Sequence, residues 1–511
     1  MGRKILLVTA DQQRHDALGC NGGKIARTPI IDGLASQGIN YTRAHNQNVV
    51  CMPARATIIS GQHVRTHGVR MNGIPLPEDA PDIARLLKEQ AGYKTALIGK
   101  AHFEPASAPG GPYFENYAAS QDITGPHRGF DRMELAGHTG RAGRSLFHYP
   151  KWLEETALGA SQSFQEYVSP EREISGKPGG DTGAVQVWHN SISKDLYHTN
   201  WVADRTIAWL NSLETDADWF CWMSFPDPHH PWDPPSSELG RCNWRDLDLP
   251  DAYPGSVEAT IKVLEGKPRH WLDWYLGRRQ FAYEVPKNFV PAQMTADQIR
   301  EVNAMCHIEN ELIDQALGRV IRRINELGWG EDLDVIYTAD HGEFQGDFGM
   351  LFKGPYHVDA LMRLPMIWRP APSARIAPAV VSQPVGHVDI ARTIAQAVGV
   401  KPDPRMQGEP LPTSAKNNRE RVITEWDGGF AGESVTLRTL CRDGYVLTAC
   451  EPGSVHDGSE GELYDLTNDP KQFQNLWDEP SHSSLKRDLI ADLYDHLPES
   501  RNPPLEQVAL V

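Results

Sequence analysis

The stretch RKILLVTADQ, residues 3–12, predicts the first strand of the fold. An apolar run of strand length from Arg3 to Ala10 ends at two polar residues, Asp11 and Gln12. In open α/β sheets, ligands bind outside the carboxyl ends of the strands. We therefore predict a first strand that places Asp11 and Gln12 at a functional site.

The rest of the chain repeats this alternation of strand-length apolar runs with amphipathic segments of helical length. Further strands are predicted at residues 95–98, 219–225 and 334–338, and a long helix from Ile299 to Leu327. This pattern predicts an α/β fold with a large, mostly parallel sheet flanked by helices. The segment from about 105 to 195, rich in Gly, Pro and Ser, is predicted to be a loop-rich insertion, either over the active face or elsewhere on the surface.

The sequence predicts three units: a catalytic α/β domain over residues 1–400, a Pro-rich linker at 401–420 and a small C-terminal domain at 421–511. β-branched and alternating segments predict a small antiparallel sheet in the last unit, followed by a helix near residues 485–496. The Pro-rich tail from Pro503 is expected either to pack around a neighbouring subunit as an arm or to be disordered.

Composition excludes several classes of function. The 511 residues carry 50 Lys and Arg against 67 Asp and Glu, a net charge of -17 that repels phosphate backbones and anionic membranes. Apolar stretches fall far short of the roughly 20 residues of a membrane helix, and the N-terminus lacks signal-peptide features. Seven cysteines without a C-x-x-C pair argue against a disulfide framework. We expect a cytoplasmic protein that binds neither nucleic acid nor membranes.

A second polar pair, Asp340 and His341, follows the predicted strand at 334–338. It should meet Asp11 and Gln12 at the same edge of the sheet. Two carboxylates, an amide oxygen and an imidazole form a plausible site for a divalent metal ion. The alternative is that both aspartates merely cap the turns that follow their strands.

The segment CMPAR, residues 51–55, predicts a helix that starts at Cys51, because proline is favoured in the first helical turn. Backbone N–H groups at a helix N-terminus bind sulfate or phosphate groups, and Arg55 lies one turn further along. Cys51 is thus a candidate nucleophile. Considered alone, a single cysteine of this kind is usually structural.

Five motifs together resemble the type I sulfatases, across nearly the whole chain. The C-x-P-x-R segment followed by Gly61 resembles the first signature of that family. The other four motifs are GYKTALIGKAH (92–102), PHHP (228–231), TADHG (338–342) and ELYDLTNDP (462–470). Five ordered motifs are far harder to meet by chance than one.

The resemblance implies an alkaline-phosphatase-like fold, conversion of Cys51 to formylglycine, and one divalent metal ion. The matching metal ligands are Asp11, Gln12, Asp340, His341 and the modified Cys51. Many sulfatases have Asp and Asn where this chain has Gln12 and His341. This departure resembles the branch of phosphonate monoester hydrolases and related arylsulfatases. It moves the metal preference from Ca²⁺ toward Mn²⁺ or Zn²⁺, with Ca²⁺ and Mg²⁺ still open.

The same branch also has alanine at the position of Ala54 and a substrate-binding asparagine at the position of Asn72. Asp340 is the expected acceptor of the proton from the hydroxyl group that the metal activates. His229 is the candidate to protonate the leaving oxygen. Taken outside the motifs, His229 is more often a structural histidine.

Three cations are expected to stabilise charge on the transferred group: Arg55, Lys100 and Lys353. His102 is expected to assist release of the product. Asn72, Lys100, His229 and Lys353 are the candidate substrate-binding residues. Outside this context, Lys353 would be an ordinary surface lysine.

The expected function is hydrolysis of sulfate monoesters, arylsulfatase-like, because Lys100 and His102 match the sulfatase pattern. Promiscuous activity toward phosphonate monoesters and phosphodiesters is expected in the same site. The alternative is that hydrolysis of phosphonate monoesters or phosphodiesters is the main activity. A third hypothesis is a metal-binding regulatory protein with an unmodified Cys51. Expected partners are a small sulfate or phosphonate ester, a formylglycine-generating enzyme that acts transiently, and further copies of the chain in a homodimer or homotetramer.

Overall fold

A computed structural model describes residues 2–106, 113–137, 146–160, 180–281, 284–286, 288–430 and 432–509. Parts of the predicted insertion, residues 107–112, 138–145 and 161–179, lie outside the described residues.

The described residues form sixteen strands and thirteen α-helices. The strands are β1 (Lys4–Ala10), β2 (Ile39–Tyr41), β3 (Ala44–His45), β4 (Lys94–Gly99), β5 (Arg132–Gly137), β6 (Leu146–Phe147), β7 (Trp219–Phe225), β8 (Leu333–Ala339), β9 (Arg363–Leu364), β10 (Met366–Arg369), β11 (Ala379–Val381), β12 (Val385–Gly386), β13 (Arg421–Phe430), β14 (Glu433–Arg442), β15 (Tyr445–Cys450) and β16 (Gly461–Asp465). The helices are α1 (Pro29–Gln37), α2 (Cys51–Ser60), α3 (Val64–His67), α4 (Ile83–Ala91), α5 (Phe114–Ser120), α6 (His148–Thr156), α7 (His198–Asn211), α8 (Val257–Leu264), α9 (His270–Tyr275), α10 (Ala296–Glu326), α11 (Asp359–Met362), α12 (Ile390–Val398) and α13 (Ser483–His496).

The main sheet has, among the described residues, nine strands in the order β11-β2-β10-β8-β1-β7-β4-β5-β6. The five strands from β8 to β5 run parallel, whereas β10 and β6 are antiparallel to their neighbours. The sheet is therefore mixed, with a parallel centre. This confirms the predicted α/β class, and β1 lies at the centre of the sheet.

The register of the parallel strands explains where the polar residues converge. Ala10, the last residue of β1, pairs with Phe225 of β7 and with Ala339 of β8, and Gly99 of β4 pairs with Ser224. The chain therefore leaves all four strands at one edge of the sheet.

Two apolar clusters cover the two faces of the sheet. Leu6, Val8 and Tyr337 belong to one cluster, together with Ile313 and Val320 of α10. Ile5, Leu7 and Ile336 belong to the other, which includes much of α2. Helix α10 begins with a capping box formed by Thr295 and Gln298, three residues before the predicted start.

Two observations concern the expected insertion and the expected linker. Strand β5 lies within the predicted loop-rich insertion but belongs to the main sheet, because four of its six residues pair with β4 in parallel. The expected linker, 401–420, packs against the catalytic domain. Met406 and Leu411 are buried in the main core, and the Gln407 amide donates to the Gly61 carbonyl.

The C-terminal strands β13–β16 form the expected antiparallel sheet. One face packs against α13 through Leu440, Leu463 and Leu493. The other face contributes Trp426 and Leu437 to the main core. The tail after α13 packs on its own chain, where the Val508 amide donates to the Gly73 carbonyl. No helix of the described residues combines the length and apolar character of a membrane span.

Candidate active site

Helix α2 begins at Cys51, as its sequence predicts. Every residue of the helix is buried, and Gly61 ends it in the left-handed conformation with φ 62°. The preceding Val50 offers no side-chain cap. Instead, the Met52 amide donates to Oδ1 of Asn72 at 3.0 Å, so Asn72 satisfies one of the free N–H groups beside Cys51.

Cys51 faces the ends of β1 and β8. Its Sγ lies 3.2 Å from Nε2 of His341 and 3.8 Å from Oδ1 of Asp11. Ligand atoms of Cys51, Asp11, Asp340 and His341 all lie within 4.8 Å of one another, and all four residues are buried. Burial and the nearby Asp11 carboxylate raise the pKa of the Cys51 thiol to about 12, so the thiol is protonated at neutral pH.

This arrangement fits a divalent cation. Two carboxylates buried side by side repel each other, and a metal ion bound between them offsets that repulsion. The oxygen, nitrogen and sulfur donors are all metal ligands in proteins. The chemistry of the donor set therefore agrees with the metal site predicted from Asp11, Asp340 and His341.

Hydrogen bonds at both the nitrogen and the oxygen of its amide group hold the Gln12 side chain in place. Its Nε2 donates to Glu343 at 2.7 Å and lies 3.1 Å from Nδ1 of His230. Its Oε1 accepts from Nζ of Lys353 at 2.7 Å. Glu343 and His230 thus orient the side chain that the sequence predicts to be a metal ligand.

Two cations pair with the two aspartates. Nζ of Lys100 donates to Oδ2 of Asp11, and Nε of Arg55 donates to Oδ2 of Asp340 at 2.8 Å. Arg55 also donates to Oγ of Ser224 at 2.8 Å. Although burial opposes ionisation, the neighbouring cations lower the pKa of Asp11, and His341 with Arg55 lowers the pKa of Asp340.

Lys353 donates to three acceptors. They are Oε1 of Gln12 at 2.7 Å, Nε2 of His229 at 2.8 Å and Oε2 of Glu284 at 2.8 Å. Nδ1 of His229 lies 2.5 Å from the carbonyl oxygen of His230, which can only accept, so Nδ1 carries the hydrogen. Burial and Lys353 hold the pKa of His229 well below its ordinary value, and the ring is neutral.

His102 differs from the other candidates because neither ring nitrogen has a hydrogen-bond partner among the described residues. The ring is buried, and burial together with Lys100 and Arg55 lowers the pKa of His102 to about 3. His102 also has φ 58°, in the left-handed region that non-glycine residues rarely adopt. Gln12, Glu284 and Phe352 share this feature, and such strain is common at functional sites.

The structure thus brings the predicted site residues together. Direct contacts join nine of the eleven. Asn72 is linked to them through the Met52 amide next to Cys51, and His102 lies two residues from Lys100 in the chain. The structure also adds four residues that the sequence analysis missed: Glu284, Glu343, Ser224 and His230. His230 was visible in the PHHP motif, and Glu343 follows TADHG directly, but no local pattern marks Glu284 or Ser224.

Comparison with known families identifies the family of this protein. The sulfatase family model matches residues 3–400, which is most of the chain and includes every candidate site residue. The protein belongs to the sulfatase family.

Relatives include sulfatases and related hydrolases. An arylsulfatase of Clostridium perfringens is 24% identical over 96% of this chain and 95% of its own length. The multifunctional alkaline phosphatase superfamily protein PehA of Trinickia caryophylli is 25% identical over 95% of this chain and 93% of its own length. The crystal structure of a phosphonate monoester hydrolase of Agrobacterium radiobacter superposes with a TM-score of 0.78 at 23% identity. It covers 98% of this chain and 100% of its own, which shows the shared fold.

Proposed function

We propose that this protein hydrolyses sulfate monoesters in the manner of an arylsulfatase, after conversion of Cys51 to formylglycine. One observation carries the proposal: Cys51 lies at a helix N-terminus, among the carboxylates and imidazole of a metal site, with three buried cations close by. A helix N-terminus and three cations suit an anionic group such as a sulfate ester.

Asp11, Gln12, Asp340 and His341, with the modified Cys51, would hold one divalent metal ion. Mn²⁺ and Ca²⁺ are the first candidates, followed by Zn²⁺ and Mg²⁺. When bound, the ion stabilises negative charge on oxygen and lowers the pKa of a hydroxyl group bound to it. An aldehyde at position 51 supplies such a hydroxyl when hydrated, which a plain thiol does not.

The residues of this chain divide the remaining work. The positive charges of Arg55, Lys100 and Lys353 would stabilise negative charge on the oxygens of the transferred group. They are held in place beforehand by Asp340, Asp11 and the acceptors around Lys353, so little reorganisation is needed when substrate binds. Asn72 would bind substrate beside Cys51.

Proton transfers are assigned by contact. Lys353 donates to Nε2 of His229, so this pair carries the proton for the leaving oxygen. Asp340 is the proposed proton acceptor. His102, with no hydrogen bond of its own among the described residues, is the residue proposed to assist product release.

A phosphonate monoester hydrolase or phosphodiesterase is the second candidate. Gln12 and His341 replace the Asp and Asn of many sulfatases, and the relative PehA is described as multifunctional. Sulfate monoesters, phosphonate monoesters and phosphodiesters all carry one negative charge on the transferred group, so the same residues can bind each of them. Lys100 and His102 favour the sulfate ester as the main substrate.

We also propose the partners and setting that the sequence suggests. The substrates are small esters, a formylglycine-generating enzyme acts on Cys51, and the chain assembles as a homodimer or homotetramer in the cytoplasm. The seven cysteines are all free thiols, which suits a reducing compartment.

The proposal is tested by turnover of an aryl sulfate. The protein is produced together with a formylglycine-generating enzyme, and mass spectrometry of the peptide that contains residue 51 measures the converted fraction. We expect hydrolysis in proportion to that fraction, and none in Cys51→Ala. Full activity of Cys51→Ala would contradict the mechanism and favour a role without covalent catalysis.

A further inference from the structure

Glu284 is a buried carboxylate in the candidate active site to which neither the sequence motifs nor the proposed mechanism gives a role. It lies between α9 and α10, and its side chain is 4% exposed. Its Oε2 lies 2.8 Å from Nζ of Lys353 and 2.9 Å from Nε2 of His229. A single carboxylate oxygen therefore contacts the two residues proposed to bind the transferred group and to protonate the leaving group.

Contacts with the candidate active site fix the position of Glu284. Lys353 has three N–H donors, and Gln12, His229 and Glu284 accept one each, so its hydrogen-bonding capacity is filled. Glu284 also has φ 58°, a conformation that costs free energy in a non-glycine residue. Such strain persists only where the surrounding contacts impose it, and here those contacts are made with the site.

The charges of the site pair one to one. Asp11 is paired with Lys100 and Asp340 with Arg55, whereas Lys353 is paired with Glu284. Without Glu284, the other five of these charged residues would carry one unbalanced positive charge, on Lys353, the lysine in contact with His229. Glu284 thus reduces the positive potential in the part of the site where the transferred group would bind.

We propose that Glu284 is a specificity residue that favours transferred groups with a single negative charge and disfavours the dianionic group of phosphate monoesters. This inference rests on the proposed function. The carboxylate and the oxygens of a bound substrate would both lie close to Lys353 and His229. Repulsion between the carboxylate and the substrate grows with the charge on the substrate, so a second charge is penalised more than the first.

The test compares two variants that separate charge from shape. Glu284→Gln keeps the length of the side chain and an oxygen that can accept from Lys353, but it removes the charge. Glu284→Asp keeps the charge and shortens the side chain. Each is assayed with a 4-nitrophenyl sulfate and with 4-nitrophenyl phosphate at about pH 8, where the phosphate monoester is a dianion.

We expect Glu284→Gln to raise the phosphate-to-sulfate ratio of kcat/KM by roughly 10- to 100-fold over wild type. Glu284→Asp should keep the wild-type ratio even if both rates fall. A second readout is inhibition of sulfate ester turnover by phenyl phosphate, whose inhibition constant should fall by a similar factor in Glu284→Gln only.

Two results would overturn the inference. In the first, Glu284→Gln lowers both activities in parallel and leaves the ratio unchanged, which would make Glu284 a positioning residue for Lys353 and His229. In the second, Glu284→Asp shifts the ratio as much as Glu284→Gln does. Failure of the proposed function is distinguishable, because wild type itself would then fail to hydrolyse the sulfate ester.

Discussion

Replacement of Arg55 by methionine tests how the site is held together. Arg55 is fully buried, and its Nε donates to Asp340 at 2.8 Å, while Nη1 donates to the Lys100 carbonyl at 2.6 Å and to Ser224 at 2.8 Å. Methionine fills much of the same volume without the charge. Arg55→Met therefore leaves the Asp340 carboxylate buried without its cation.

The magnitude follows from these contacts. Loss of one partner of a buried ion pair destabilises a protein by about 3–5 kcal/mol. Oδ1 of Asp340 keeps the amides of Gln12 and His341, at 3.0 and 2.9 Å, so we expect the lower end, about 3 kcal/mol. With about 2.1 cal/mol/K of unfolding entropy per residue and 511 residues, this corresponds to a fall in Tm of about 3 °C.

The assay is thermal and chemical unfolding of wild type, Arg55→Met, Asp340→Asn and the double variant, all with excess chelator. The double variant should lose less stability than the sum of the two single variants, by about 1 kcal/mol or more, because it leaves no unpaired charge. Additive losses, or an unchanged Tm in Arg55→Met, would refute the view that this pair holds the site together.

Three further predictions concern the amide beside Cys51, a buried lysine and the metal. Asn72→Ala removes the acceptor of the Met52 amide and should lower the free energy of unfolding by about 1–3 kcal/mol; an unchanged denaturant midpoint would show that the bond contributes nothing. Burial lowers the pKa of Lys267 to about 8, so the unfolded chain binds more protons between about pH 8 and 10 and wild type should gain stability across that range. Lys267→Met should not show this part of the gain, and parallel pH profiles would contradict the prediction. Chelation should abolish turnover, with Mn²⁺ restoring it; activity that survives exhaustive chelation would exclude the metal role given to Asp11 and His341.

Much of the fold could be predicted because its decisive signals are local. Strand β1 is a short apolar run with polar residues directly after it, and the same pattern marks β8. Proline in the first turn places the start of α2 at Cys51. Strand β5 was missed because it is a short strand within a sequence rich in turn-forming residues, and its place in the sheet depends on pairing with β4.

The site residues likewise differ in whether the local sequence predicts their position. Asp11, Asp340 and Cys51 stand at the ends of elements, so their position follows from local pattern and sheet topology. Glu284 lies outside every strand and α-helix of the described residues, and it reaches Lys353 only because the chain folds back across 69 positions. Ser224 lies inside an apolar strand, β7, where its contact with Arg55 cannot be read from the neighbouring residues.

The central claim is tested most directly by kcat/KM for an aryl sulfate and an aryl phosphonate monoester on one preparation. The preparation should contain a measured fraction of formylglycine at position 51 and be assayed with Mn²⁺ and with Ca²⁺ in turn. The account predicts that the sulfate ester is preferred by several decades. Preference for the phosphonate would contradict it and make the second candidate the main activity.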